Sequence, residues 1–183
     1  MAEQDAPADG REPLGEAAPS RWSVVQPWLS MLVRLAMAII LIAAAIPKLQ
    51  DIDQSVRAVR AYRLLPEAVV PLVGTGLPYL ELALALVLLL GLFTRAGALV
   101  WNLMMLAFMT GVVWVWIKGY SIDCGCFGGG GDVDADATNY PLHMLERVGF
   151  LALGVYLWIF PRSHLSVDSW TRGESLIGRP AGK

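Results

Sequence analysis

The chain has 183 residues, of which 56% are hydrophobic and only 16% are charged, with a mean hydropathy of +0.53. Soluble domains carry roughly 25% charged residues, so this composition indicates an integral membrane protein. The net charge of −2, without a basic stripe interleaved with aromatic residues, excludes nucleic acid as an expected partner, and two cysteines are too few for a secreted disulfide framework.

The two ends of the chain differ in composition from the rest. Residues 1 to about 20 are rich in Ala, Pro, Gly, Asp and Glu without periodicity, which is typical of disorder. We place the boundary of this disordered N-terminal tail at residues 1–27. The start lacks the basic segment of a signal peptide, so the first apolar run is expected to stay as an uncleaved anchor. Residues 161–183 are polar and are predicted to form a short flexible extension.

Four apolar runs are long enough to cross a bilayer, whose core of about 30 Å needs roughly 20 helical residues. They lie at about 28–46, 70–92, 96–117 and 141–160. The sequence therefore predicts an all-α, four-helix membrane bundle over residues 28–160. Three of the runs contain charged residues: Arg34 in the first, Glu81 in the second, and Glu146 with Arg147 in the fourth.

The segment between the first two spans, residues 47–66, has apolar residues close to one helical face and charges interleaved between them. This pattern predicts a helix that lies on the bilayer surface, with a plain helical connector as the alternative. Lys48, at the start of this segment, is expected to extend its ammonium group to the membrane interface.

Basic residues favour one orientation of the bundle. Five basic residues lie in the loops on the side of the membrane that carries the cysteines. Seven lie on the other side, in the tails and the turn at 93–95. Because basic residues are enriched on the cytoplasmic side, the tails are predicted to be cytoplasmic and the cysteine loop extracytoplasmic, in a bacterial inner membrane. Disulfides also persist on that outer side.

Charged side chains within a membrane usually face the bundle interior and pair with one another. At 1.5 Å per residue, Arg34 and Arg147 each lie on the order of 7 Å in depth from Glu81, so either could pair with it. Arg147 lies beneath the cysteine loop, where a cation would lower the pKa of a thiol. The alternative is an ion pair that only fixes how the helices pack.

The only two cysteines are separated by one residue, in Cys124-Gly125-Cys126, between the third and fourth spans. A disulfide across one residue closes a small, strained ring, and strain makes the bond easier to reduce. Closing so short a loop also adds little stability. The pair is therefore predicted to be a reactive dithiol rather than a structural disulfide, with two small residues at a crowded turn as the alternative.

The residues after the cysteines suggest further features. The glycine run 128–131 is predicted to be a flexible hinge that lets the dithiol meet a partner. The acidic run 132–136 lacks the glycine and the final glutamate of a calcium loop. Cys124, Cys126 and His143 could supply three zinc ligands, but the cysteine spacing departs from the usual two to four residues, and no metal is predicted.

Several of these segments together resemble the MauE branch of the DoxX-like membrane proteins. The resemblance covers about residues 33–160. Its motifs are Arg34-Leu35, Pro47-Lys48-Leu49, Tyr62-Arg63-Leu64-Leu65-Pro66, Pro78-Tyr79-Leu80-Glu81, Cys124-Gly125-Cys126-Phe127-Gly128 and Glu146-Arg147. It implies a small four-helix, redox-associated protein linked to methylamine utilisation, where the name member assists maturation of a disulfide-rich methylamine dehydrogenase subunit. The architecture is also similar to the core of vitamin K epoxide reductase.

From residues and resemblance together we expect thiol–disulfide exchange by Cys124 and Cys126, supported by Arg147, Glu81 and Arg34. The expected partners are the lipid bilayer and a thioredoxin-like or disulfide-containing extracytoplasmic protein. No cofactor is assigned; a quinone stays open as the electron acceptor, although the chain lacks a second cysteine pair to complete a relay. The rival interpretations are a non-catalytic assembly subunit and a small transporter.

Overall fold

The structure, a computed structural model, describes residues 21–134, 139–164 and 166–168, which are mostly helical. Its elements are α1 (Arg21–Gln50), α2 (Ile52–Ala61), α3 (Val70–Leu90), α4 (Thr94–Lys118), β1 (Ile122–Asp123), β2 (Gly131–Asp132) and α5 (Tyr140–Ile159). Four helices of this described part, α1, α3, α4 and α5, are long and apolar enough to cross a membrane. The predicted all-α membrane bundle is confirmed.

Three of the four spanning helices agree with the predicted spans to within about two residues, whereas α1 is longer at both ends. It begins at Arg21, within the predicted disordered tail, because Trp22 packs edge-on against Phe160 with ring centroids 5.8 Å apart. It also continues through Pro47 to Gln50. Residues 1–20, the rest of the predicted tail, lie outside the described residues.

The bundle core lies where α1, α3, α4 and α5 meet, and it contains Met37, Leu88 and Trp101, all fully buried. Two details bring α4 close to α5. Trp101 Nε1 donates a hydrogen bond to the Phe150 carbonyl at 2.8 Å, and a Cβ at Gly154 would overlap the Trp101 ring. Small residues at helix crossings are the usual means of close packing within a membrane.

The segment after α5 folds back on the bundle instead of extending freely, so the prediction of a flexible extension is wrong for residues 161–164 and 166–168. The Asp168 carboxylate accepts hydrogen bonds from the backbone N–H groups of Phe93 and Thr94, both at 2.8 Å. These are N–H groups at the start of α4 that have no partner within the helix. His164 packs on Trp28 at 4.6 Å between ring centroids. We call this end of the bundle the tail end; residue 165 and residues 169–183 lie outside the described residues.

Candidate functional site

The two cysteines lie in a tight hairpin at the opposite end of the bundle, which we call the cysteine end. Strands β1 and β2 pair antiparallel, with Ile122 opposite Asp132. Between them, the Asp123 carboxylate accepts hydrogen bonds from the backbone N–H groups of Gly125 and Gly130, both at 3.2 Å. These bonds close residues 124–130 into a defined loop.

The glycine run belongs to this packed loop, so the prediction of a flexible hinge is wrong. Gly128 to Gly131 all have positive φ, a region that favours glycine. Gly125 and Gly130 lie directly against Ala58 of α2, where a Cβ on either glycine would overlap the Ala58 side chain. The glycines therefore let the loop approach α2 closely.

Helix α2 covers the cysteine loop, and its buried face overlaps the apolar face predicted to lie on the bilayer only in part, at Ala61. The buried residues are the small side chains Ser55, Ala58 and Ala61, three residues apart. Ser55 Oγ donates a hydrogen bond to the Gly74 carbonyl at 2.7 Å, which fixes α2 on α3. This stripe of small residues was the sequence signal for a tight contact, and it matches the glycines across the interface.

Gly130→Ala should loosen the loop more than Gly131→Ala. Both positions have positive φ, at +98° and +126°, but only the new Cβ at residue 130 would meet Ala58; at residue 131 it would meet nothing within 4 Å. We expect the clash to cost about 1–3 kcal/mol beyond the shared backbone strain. Thermal unfolding of the detergent-solubilised variants measures the difference. Equal losses of stability in the two variants would contradict the packing described here.

The two thiols have different surroundings. Cys124 is half-buried, whereas Cys126 is buried with 7% of its surface exposed. Arg147 of α5 is itself buried, and its Nη2 donates a hydrogen bond to Cys124 Sγ at 3.2 Å. Tyr62, which follows α2, donates from its hydroxyl to the Cys124 carbonyl at 3.2 Å. The prediction that Arg147 lies beside the thiols agrees with this geometry, but the expectation that both sulfurs are accessible does not hold for Cys126.

These surroundings separate the acidities of the thiols. Hydrogen bonding from Cys126, together with the nearby Arg147 charge, outweighs burial and lowers the pKa of Cys124 to about 5. The same interaction with Cys124, reinforced by burial, raises the pKa of Cys126 well above its ordinary value. Of the two thiols, Cys124 is therefore the one that loses its proton more readily.

Beneath the loop lies an ion pair that the sequence did not indicate. Lys48 Nζ donates to Glu81 Oε1 at 2.6 Å, and both side chains are almost fully buried. Glu81 is thus paired with Lys48 rather than with Arg34 or Arg147, and Lys48 does not extend to the interface. Arg34 is also buried, but at the tail end, where its Nη2 is 3.5 Å from the His164 carbonyl. Arg34 therefore does not belong to the cysteine site.

Two small cavities flank Cys126, each with a volume of about 20 Å³. This is room for about one water molecule. His143 faces Glu146 with Nδ1 and Oε2 4.0 Å apart. Within the described residues, no group of three or more His, Cys, Asp or Glu side chains is arranged to hold a metal ion.

Comparison with known proteins gives consistent matches. The sequence profile of the family described as "Methylamine utilisation protein MauE" matches residues 26–160. The "Methylamine utilization protein MauE" of Paracoccus denitrificans is 30% identical over 108 residues, 58% of this chain and 58% of that protein. The protein of the same description from Methylophilus methylotrophus is 38% identical over 104 residues, 56% of this chain and 55% of that protein. The chain spans somewhat more than half the length of the curated relatives it matches, and no solved structure matches it significantly.

Proposed function

The chain belongs to the MauE family of methylamine utilisation proteins, and from this premise we propose that it exchanges disulfides with extracytoplasmic partner proteins. The observation that carries the proposal is the hydrogen bond from buried Arg147 to Cys124 Sγ at 3.2 Å. A thiolate, not a thiol, is the nucleophile in disulfide exchange, and an adjacent arginine favours the thiolate. Cys124 is therefore the attacking residue and Cys126 the resolving residue.

The exchange proceeds in two balanced steps. In the first, the Cys124 thiolate attacks one sulfur of a partner disulfide, which forms a mixed disulfide and releases the other partner sulfur as a thiolate. In the second, Cys126 loses its proton and attacks Cys124 Sγ, which forms the Cys124–Cys126 disulfide and releases the second partner thiolate. The reverse sequence passes the disulfide from this chain to a partner dithiol.

The partner class follows from the chemistry of this site. A thioredoxin-like protein or a substrate protein with disulfides supplies the sulfur pair that each step requires. Phe127, next to the resolving cysteine, is 46% exposed although its ring lies 6.5 Å from that of Phe150 in α5. It gives the apolar surface beside Cys124 against which a partner would dock.

We place the cysteine end on the extracytoplasmic side and the tail end in the cytoplasm of the bacterial inner membrane. The excess of basic residues at the tails supports this orientation. Exchange between proteins with lasting disulfides also belongs outside the reducing cytoplasm.

Two features of the site disfavour the rival interpretations. An assembly subunit whose cysteines only shape a turn would not need a buried arginine hydrogen-bonded to a sulfur, as Arg147 is here. The turn itself is shaped by the glycines and by the hydrogen bonds of Asp123. For a transporter, a cavity larger than one water would be needed beside Glu81, whereas the cavity that Glu81 lines has a volume of about 20 Å³.

The proposal is tested in cells that grow on methylamine and depend on this protein. Intact cells are treated first with an impermeant reductant, which frees Cys124 from any disulfide, and then with an impermeant maleimide. The wild type and Cys126→Ser should be labelled but Cys124→Ser should not, and the double serine variant should not support growth. Labelling of Cys124 only after lysis would overturn the orientation. Normal growth of the double serine variant, produced at the wild-type level, would overturn the exchange role.

A further inference from the structure

The buried Lys48–Glu81 pair has no part in the mechanism as described so far. Both side chains are at most 5% exposed, and burial of a charged pair within a membrane is costly. Glu81 Oε1 is taken by Lys48, but its second oxygen, Oε2, is buried and has no hydrogen-bond partner among the described residues. The same holds, within those residues, for Nε of Arg147.

The two residues that carry these atoms line one of the two cavities beside Cys126. Glu81, Arg147 and Cys126 line one cavity together, and Lys48 lines the other with Cys124 and Cys126. A buried polar atom without a partner is usually satisfied by water, and a water needs two to four polar neighbours. The first cavity supplies three such neighbours and the volume of one water molecule.

We propose that Glu81 is the proton acceptor for Cys126 in the second step of exchange, through one water molecule in the cavity that the two residues share. The proposal rests on the proposed exchange function and deepens it. The Cys126 proton passes to the water, whose own proton passes to Glu81 Oε2; the Cys126 thiolate then attacks Cys124 Sγ. In the reverse direction, Glu81 returns the proton to Cys126. Lys48 is a positioning residue that holds the carboxylate through Oε1.

The burial of Cys126 explains why an acceptor is needed. In the mixed disulfide Cys124 carries no charge, but Cys126 is still only 7% exposed, and this burial disfavours its thiolate and raises its pKa. Bulk water does not reach a buried thiol readily, so a base inside the bundle removes the proton faster. The described titratable and charged groups around Cys126 are Lys48 from α1, Tyr62 after α2, Glu81 from α3, Asp123 and Cys124 in the hairpin, and His143 and Arg147 from α5. The residues that α4 contributes to this cavity are Trp101, Met104, Met105 and Phe108.

The two steps can be timed separately with bis(nitrobenzoate) disulfide, which releases one yellow thiolate in each. The full chain in detergent contains only two cysteines, so the first release reports attack by Cys124 and the second reports attack by Cys126. In Glu81→Gln, we expect the second release to slow by about a hundredfold at pH 7, a common contribution of general base catalysis, while the first changes less than about twofold. The rate of the second release in the variant should approach that of the wild type as the pH rises, because hydroxide then replaces the missing base.

Glu67→Gln is the matched control, because Glu67 follows α2 and makes an exposed ion pair with Arg60 of that helix. In this variant both releases should keep the wild-type rates. Because Glu81→Gln leaves Lys48 buried without its counter-charge, the double variant Lys48→Met/Glu81→Leu is tested too, as apolar replacement of a buried pair often preserves stability. It should show the same slow second release. A second release at the wild-type rate in either variant, or one slowed equally at every pH, overturns the proposal. Absence of the first release from wild type would instead overturn the exchange function itself.

Discussion

Cys126→Ser should convert a transient mixed disulfide into a stable one. Cys124, which keeps its hydrogen bond from Arg147, remains free to attack a partner disulfide, but no second sulfur is then present to release the partner. In the wild type the resolving thiol is two residues away, and an intramolecular reaction of this kind is faster than any competing bimolecular one. The variant should therefore accumulate as a covalent adduct with a partner protein, seen as a heavier band on a non-reducing gel that disappears on reduction.

The complementary variant gives the control. Cys124→Ser leaves only Cys126, which is 7% exposed, so it should form no adduct under the same conditions. Each variant replaces one sulfur by one oxygen within the same loop. A difference in the amount of adduct therefore reflects the separate roles of the two sulfurs and not the loss of a thiol as such. Equal trapping by the two variants, or trapping by Cys124→Ser alone, would contradict the assignment of Cys124 as the attacking residue.

The helices were predictable because hydropathy alone determines which runs of about 20 residues can cross a membrane. The limits of α1 were not, because Pro47 indicated an end to the span. A proline in a membrane helix only frees one carbonyl and can be tolerated within it. With α1 continued past Pro47, Lys48 lies inside the bundle, where it pairs with Glu81 at 2.6 Å.

The error over the partner of Glu81 has a geometric cause. Rise per residue gives the depth of a side chain in the membrane, and by depth Arg34 and Arg147 were equally close to Glu81, whereas Lys48 lay beyond the predicted end of the first span and was not compared. The choice depends on which way each side chain faces around its helix. In this bundle Arg147 faces the cysteine loop and Arg34 faces the tail end, which leaves Lys48 for Glu81.

Composition misled the predictions at two polar segments. A run of four glycines is flexible in isolation, but here the missing side chains make room for Ala58 of α2. The segment after α5 is polar, yet Asp168 is held there by the backbone N–H groups of the turn before α4. In both cases the ordering contact comes from a residue far away in sequence, which local composition does not report.

Arg147→Met should move the pH at which Cys124 becomes reactive upward. The measurement is made in the Cys126→Ser background, where Cys124 is the only thiol. An opposite charge at hydrogen-bond distance commonly lowers a pKa by one unit or more, so losing it should raise the midpoint of the alkylation rate by about one pH unit. The sign follows because the thiolate is the reacting form: a higher pKa leaves less thiolate at pH 6 and slows alkylation there.

The same substitution should have the opposite effect at high pH. Once Cys124 is fully ionised in both proteins, the thiolate with the higher pKa is the stronger nucleophile, so the Arg147→Met variant should react faster than its parent. This crossing of the two rate profiles separates a change in acidity from a collapse of the site, which would slow the reaction at every pH. Arg147→Lys keeps the charge and should move the midpoint less. Arg95→Met, an exposed arginine at the tail end, should leave the profile unchanged. Profiles that coincide for Arg147→Met and its parent would show that the arginine does not set the reactivity of Cys124.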